Sequence, residues 1–315
     1  MIRPYFDAHC DTAFEWWRQK KHIDDGEFHI SSERMKHLPA YAQFFALCTV
    51  WQKDMPPEAQ YENAMAYFFR ELKNQPSLKQ CGSADEVRSA WSEGKCACIL
   101  SIEGAEAISC DPGKLESAMR SGVRMVSLTW NEDNALAGCN LGDGGLTAQG
   151  REFVRRCQRL GILVDVSHCS EQAFFDICEI AEKPIAASHS NCRALCRHPR
   201  NLTDDQLRVL FQLGGFVGLN FYPIFLREDG SAEIDDICRH YEHICELGGI
   251  DHVGFGADWD GVEMLPKGIG GIDDVTKIIE RLTELGAPDA AIANLSSATI
   301  LRVMQECGTR PVTGV

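Results

Sequence analysis

Eight short apolar runs, most of them separated by a segment long enough for a helix, do most to restrict what this chain can become. They are Tyr5–Asp11, Gln43–Val50, Cys96–Glu103, Met125–Asn131, Ile162–His168, Ile185–Ser190, Phe216–Tyr222 and His252–Asp258. The pattern is clearest around the fifth and sixth runs. Ser170 can cap a helix whose apolar residues Ala173, Phe174, Ile177, Ile180 and Ala181 fall at helical spacing, and Pro184 ends it. A single crossover helix between two short strands implies adjacent, parallel strands, because only a crossover returns the chain in the same direction. Eight strand–helix repeats are the count of a (β/α)8 barrel. An open doubly wound sheet is the competing arrangement, but no GxGxxG or Walker loop follows any run. The expectation is an α/β chain: a TIM-type barrel with additional helices, forming one domain over residues 1–315.

Helix signals fill most of the gaps. Residues 58–73 have a helical pattern, and Ser83 with Glu86 and Thr203 with Gln206 read as capping boxes. Leu115–Arg120, Glu152–Leu160, Ile234–Leu247 and Ile272–Leu285 follow. Gly122, Gly161, Gly248 and Gly286 stand where C-caps are expected. Pro288 opens a last helix running to about Cys307.

With 315 residues, 44% of them hydrophobic, the chain can bury one large core. A net charge of −15 argues against nucleic acid and anionic membrane surfaces, which call for basic patches. No apolar run approaches the roughly 20 residues of a membrane span. Met1-Ile2-Arg3-Pro4 does not read as an export signal, so a soluble, cytoplasmic protein is expected. The fifteen cysteines lack CxxC spacing and read as packed thiols.

The ends of the runs carry the chemistry. The first ends in His9-Cys10-Asp11, the third in Glu103, the fifth and sixth in His168 and His189, and the eighth in Asp258. Residues two apart share a strand face, so His9 and Asp11 point the same way. A parallel barrel gathers all these ends on one rim: three imidazoles and three carboxylates. Bare carboxylates so close would repel one another, and a divalent cation removes that penalty. Imidazole with carboxylate suits zinc, with manganese, iron or cobalt as further options. Six ligands exceed one open tetrahedral site and suit two metals about 3.5–4 Å apart, bridged by a carboxylate and a hydroxide. Gly254 and Gly256 share the face of Asp258 and are expected to leave space beneath it. His240 and His243, three apart on a helix without HExxH, read as a solvated face, and His22, His29, His37 and His198 as loop residues.

These residues also carry a resemblance. Asp7-Ala8-His9-Cys10-Asp11, Ser101-Ile102-Glu103-Gly104, Asp165-Val166-Ser167-His168, Ser188-His189-Ser190, Arg200-Asn201, Asn220-Phe221-Tyr222 and Gly256-Ala257-Asp258-Trp259-Asp260-Gly261 run in order along the chain. Together they resemble the renal, or membrane, dipeptidases, which are zinc metallopeptidases on an amidohydrolase-type barrel. The resemblance implies one zinc on His9, Asp11 and Glu103 and a second on Glu103, His168 and His189, with Glu103 bridging. It implies that Asp258 shuttles a proton, that Arg200 holds the C-terminal carboxylate of a dipeptide, and that Tyr222 lines the pocket. Better-known members carry a histidine, thought to polarise the scissile carbonyl, where this chain has Trp130. Trp130 and Asn131 are therefore candidate substrate contacts. The resemblance implies hydrolysis of L-L dipeptides, with L-D ones as a further option, and makes a homodimer the candidate assembly. Two other readings use the same residues: a binuclear amidohydrolase acting on another amide, a cyclic amide or a lactone, and a non-catalytic ligand-binding barrel.

Overall fold

The computed structural model describes residues 3–48 and 54–312. Nine strands alternate with helices: β1 (Tyr5–Cys10), β2 (Tyr41–Cys48), β3 (Leu78–Gln80), β4 (Cys96–Glu103), β5 (Val123–Ser127), β6 (Leu163–Asp165), β7 (Ala186–Ala187), β8 (Phe216–Leu219) and β9 (Val253–Phe255). Every pairing between these strands is parallel. Eight strands close into a ring through the β1–β9 and β2–β4 pairings. This is the expected barrel, and each expected run contributes one of its strands. The last residues of the second run, 49 and 50, lie outside the described residues.

β3 was not expected. It lies outside the ring, against the first three residues of β4. Three residues with one apolar side chain give no alternation to read. The ladders also end sooner than the apolar runs do. His168, His189 and Asp258 stand on the loops just past β6, β7 and β9.

Alternation along the strands separates two apolar layers. Phe6, Ala8, Ala42, Phe44, Ala97, Ile99, Met125, Leu163, Ala186 and Phe216 face inward. Ile300, Leu301, Val303 and Met304, on the helix Thr299–Cys307, pack against them and plug the end of the barrel where the strands begin. The outward residues, such as Phe45, Leu100, Val126, Val217 and Phe255, pack under the surrounding helices. With one end plugged by apolar side chains, polar chemistry is left to the end where the strands stop.

Local signals behave mostly as their chemistry dictates. Thr203 and Gln206 form a full capping box, and Ser170 accepts the Ala173 N–H. Ser83 makes only half of its box: the Glu86 carboxylate turns instead to the backbone N–H groups of Gly82 and Val312. The last helix is broken by a π turn over Asn294–Ala298. His240 is a correction to its solvated reading. It is buried, its Nδ1 accepts the Cys192 N–H at 3.0 Å, and its Nε2 lies 3.0 Å from the Leu226 carbonyl oxygen. All fifteen cysteines are free thiols, thirteen of them buried. No described helix is long and apolar enough to cross a membrane.

Candidate metal centre

The first strand breaks its own alternation to build the site. Ala8 belongs to the inner layer and Cys10 to the outer one, although residues two apart should share a face. A bulge resolves this: Asp7 pairs with Gln43 and Cys10 with Phe45, so three steps on β1 oppose two on β2. Asp7 holds the bulge. Its carboxylate accepts the His9 N–H at 2.9 Å, the Tyr5 hydroxyl at 2.5 Å and the Ala257 N–H at 3.0 Å. The same side chain thus fixes His9 and the end of β9 that leads to Asp258. Burial raises the Asp7 pKa to about 6.

The rim residues converge. The Glu103 Oε1 lies 2.9 Å from His168 Nε2, 3.4 Å from His189 Nε2 and 3.6 Å from His9 Nε2. His9 Nε2 also stands 3.7 Å from Asp258 Oδ1, and ligand atoms of His9, Asp11 and Asp258 lie within 4.8 Å of one another. The rings of His9 and His189 are 3.8 Å apart between centroids. His168 and Asp258 reach these positions with φ of 68° and 66°, a left-handed backbone uncommon for residues other than glycine. Such conformations persist where surrounding structure over-determines them, as at functional sites.

The hydrogen bonds behind the imidazoles decide what faces forward. Ser188 Oγ donates to Asp165 Oδ2 at 2.6 Å, so it accepts the Nδ1–H of His189 at 2.7 Å. Asn131 Oδ1, an acceptor, lies 2.9 Å from His168 Nδ1. Both rings therefore turn an Nε2 lone pair forward, and the two Nε2 atoms are 3.0 Å apart beside a carboxylate oxygen. Three lone pairs at that spacing repel unless a cation or proton lies between them. His9 Nε2 and Asp11 Oδ1 are buried without any hydrogen-bond partner. A Cβ on Gly261 would collide with the carboxylates of both Asp11 and Asp258, so only glycine leaves that side of the cradle clear.

Electrostatics agree with geometry. Burial, then the Asp258 charge, pushes Glu103 up to about 8. Burial, then Glu103, raises Asp11. Burial, then Arg200, pushes His9 down to about 3, and burial drives His168 and His189 well below their usual range. The cluster cannot neutralise itself by pairing acids with imidazolium ions. Neutral imidazoles and carboxylates around a divalent cation satisfy every member. The donor set thus fits a metal, and imidazole plus carboxylate fits zinc.

Below the rim, Asp165 is fully buried and fully bonded. It accepts from Ser127 Oγ, Ser188 Oγ and the N–H groups of Ser167 and Ser188. Gly218 and Gly256 correct the expectation of empty space under Asp258. A Cβ at either position would strike the Ser188 carbonyl oxygen, so these glycines allow β7, β8 and β9 to crowd together. Gly254 instead faces Ile300 of the plug.

The pocket above the cluster is a cavity of ≈300 Å³. Arg200, Tyr222, Trp130 and Asn131 all line it, together with Asp11, Glu103, His168 and Asp258. Arg200 is buried, and its Nη2 donates to the His189 carbonyl oxygen at 3.3 Å. The Tyr222 hydroxyl donates to Glu263 at 2.8 Å, and Asn220 Nδ2 donates to Asp258 Oδ2 at 3.0 Å. His198, expected to be a plain loop residue, also lines the pocket, and its Nδ1 accepts the Arg200 N–H at 3.2 Å. Asp7 and Asp165 went unread as site residues, although a carboxylate inside an apolar strand was a visible signal.

The profile of the membrane dipeptidase family, peptidase family M19, matches residues 2–310. A Schizosaccharomyces pombe protein described as an uncharacterized dipeptidase is 37% identical over 242 residues. These are 73% of this chain and 58% of that longer protein. A dipeptidase of Claviceps purpurea is 27% identical over 97% of this chain and 74% of its own. A metallopeptidase from Rhodobacter sphaeroides, liganded with a phosphinate mimic of the dipeptide L-Ala-D-Ala, superposes with a TM-score of 0.87 at 29% identity, covering 98% of this chain and all of that one. The chain belongs to the membrane dipeptidase family, peptidase family M19, and is a metal-dependent dipeptidase by that membership.

Proposed function

We propose that the chain hydrolyses dipeptides, L-D as well as L-L, with two zinc ions held by five side chains. His9, Asp11 and Glu103 hold one, and Glu103, His168 and His189 the other. The observation that carries this is the cluster of donor atoms without protein partners: two Nε2 atoms 3.0 Å apart beside Glu103, with His9 Nε2 and Asp11 Oδ1 unpartnered beside them, in two overlapping groups. The phosphinate mimic bound by the Rhodobacter sphaeroides relative supports a dipeptide, and an L-D one, as substrate. Bound in this cluster, the metal ions supply a water-derived nucleophile at neutral pH and polarise the scissile carbonyl.

The chain's own residues bind, orient and move protons. The Arg200 guanidinium takes the substrate's C-terminal carboxylate, for which its planar fork is suited. Burial against the His189 carbonyl oxygen holds it in place before substrate arrives. Asp258, oriented by Asn220, takes the proton of the attacking water and delivers it to the leaving amine nitrogen. Trp130 stands where better-known members carry a histidine. Its indole N–H can donate to the substrate carbonyl oxygen but cannot become a cation. Asn131 acts through His168 by fixing its tautomer.

The test is a panel of L-L and L-D dipeptides with zinc-loaded and chelated protein, with metal per chain measured on the same samples. Turnover that vanishes on chelation and returns with zinc is the expected result. Two metals bound without cleavage of any dipeptide would overturn the substrate and move the search to cyclic amides and N-acyl amino acids.

A further inference from the structure

One amide in the pocket has no partner. Asn140 lines the cavity beside His168, and both its Nδ2 and its Oδ1 are buried without a hydrogen bond. Leaving a carboxamide dry and unpaired is costly, and such a group in a folded chain calls for an explanation. The loop backbone that carries it is pinned. The Asn140 N–H donates to the His168 carbonyl oxygen at 2.7 Å, the Cys139 N–H to Asp133 at 2.8 Å, and the Gly142 N–H back to the Cys139 carbonyl oxygen at 3.0 Å. Only the side-chain torsions are left to turn the amide, which neighbouring atoms close off, into the cavity that Asn140 lines.

The next residue is equally unusual. Leu141 is 69% exposed, the most exposed large apolar side chain among the described residues. Ile224, 37% exposed, lines the same cavity, as does the Trp130 indole. Large exposed apolar side chains gathered at one mouth mark a binding surface more often than scattered ones do. The occupant is restricted by what lies beneath: a buried guanidinium and a metal-binding cluster within ≈300 Å³.

Resting on the dipeptidase reading above, we propose that Asn140 and Leu141 form a recognition pair. The Asn140 carboxamide hydrogen-bonds the substrate main chain, and Leu141 with Ile224 and Trp130 receives a large apolar side chain. The favoured substrates are dipeptides bearing at least one leucine-like or aromatic residue. An amide offers both donor and acceptor, which suits a peptide main chain better than a lone ion. An apolar mouth adds selectivity through buried side-chain area.

The experiment compares zinc-loaded wild type, Leu141→Ser and Asn140→Leu on Gly-Gly, Leu-Gly and Gly-Leu, with metal content measured for each. Wild type is expected to favour a leucine-containing substrate about tenfold or more in kcat/KM. Leu141→Ser should shrink that ratio several-fold. Asn140→Leu should lower kcat/KM about 10- to 100-fold on all three at unchanged metal content. A flat panel in wild type, or the same ratio in Leu141→Ser, overturns the apolar subsite. Unchanged kinetics in Asn140→Leu overturn the amide contact. Phosphinate mimics with glycyl or leucyl side chains, titrated calorimetrically into the same proteins, separate the two levels. No turnover by wild type with tighter leucyl binding overturns the activity and keeps the recognition pair. No binding of either mimic overturns both.

Discussion

Two buried acids, one at the end of β4 and one at the end of β6, behave in opposite ways. Asp165, in the layer under the rim, receives four hydrogen bonds from serine hydroxyls and backbone N–H groups. Glu103, at the rim, faces three imidazole nitrogens, of which those of His168 and His189 have no proton to give it, and burial with Asp258 nearby pushes it up to about 8. Both carboxylates are buried. Only the lower one is complete within the chain. The lower layer is a scaffold that fixes tautomers and strand ends, and the upper one is a set of ligands whose partner comes from outside. Burial of polar groups therefore does not by itself mark a site. What marks it is several such groups side by side with their hydrogen bonds left unmade, whereas single unmade ones, as at Trp16 and Tyr61, lie scattered elsewhere.

The largest effects should come from the upper layer. Glu103→Gln removes the carboxylate shared by all three imidazoles. It should reduce metal per chain and lower kcat/KM by about three orders of magnitude or more, an effect of the size expected when metal assistance is lost. Full metal content in that variant would break the contrast, because Glu103 would then be as self-sufficient as Asp165. Asp258→Asn should keep both metals and lose about 10²- to 10⁴-fold in kcat, the usual range for one general acid–base group. Retained turnover would remove Asp258 from the proton path.

The lower layer should act one step away. Ser188→Ala breaks the chain from Asp165 to His189 Nδ1 and frees the ring to turn or change tautomer. Metal affinity is expected to fall about 10- to 100-fold, the usual cost of losing a partner behind a ligand. Saturating metal should restore much of the rate. A change in kcat at saturating metal, with affinity unmoved, would place Ser188 in the chemistry instead of the scaffold.

Much of this division could be read from residue order. Histidine or carboxylate at the ends of five apolar runs located the rim, because a parallel barrel brings like ends together whatever the loops do. The inner and outer layers followed from alternation. Other features depend on information that alternation does not carry. The bulge at Asp7 adds one residue and reverses the face on which His9 stands, and only the pairing register reveals it. Arg200 and Tyr222 sit on loops, so spacing rules were silent and the resemblance alone singled them out. Gly256 was read as a space when it marks a close approach, since a missing side chain has the same letter in either case. His240 was misread because its partners, the backbone of Cys192 and Leu226, come from segments distant in sequence.

His240 supplies the smallest of the expected effects and the cleanest control. Like the rim imidazoles it is buried and pushed down, to about 4, with burial as the main cause. Unlike them it is complete: Nδ1 accepts from Cys192, so Nε2 carries the proton and donates to Leu226. The folded chain keeps this ring neutral down to about pH 4, whereas the unfolded chain protonates it near the ordinary value of about 6.5. Its stabilising contribution is thus intact above pH 6.5 and lost progressively as pH falls to about 4, on the order of 3 kcal/mol in all. The rim histidines, also pushed down by burial, add their own loss of stability as pH falls through the same range, so wild type alone cannot isolate the effect. The difference between wild type and His240→Gln can, because the rim is common to both. Urea midpoints of the metal-loaded proteins, measured from pH 7.5 to 4.5, should converge as pH falls, with dipeptide turnover at pH 7.5 unaltered by the substitution. Parallel midpoints would mean that His240 is already protonated or solvated in the native chain. Burial with complete hydrogen bonding would then no longer separate scaffold from site, and the contrast between Asp165 and Glu103 would lose its general form.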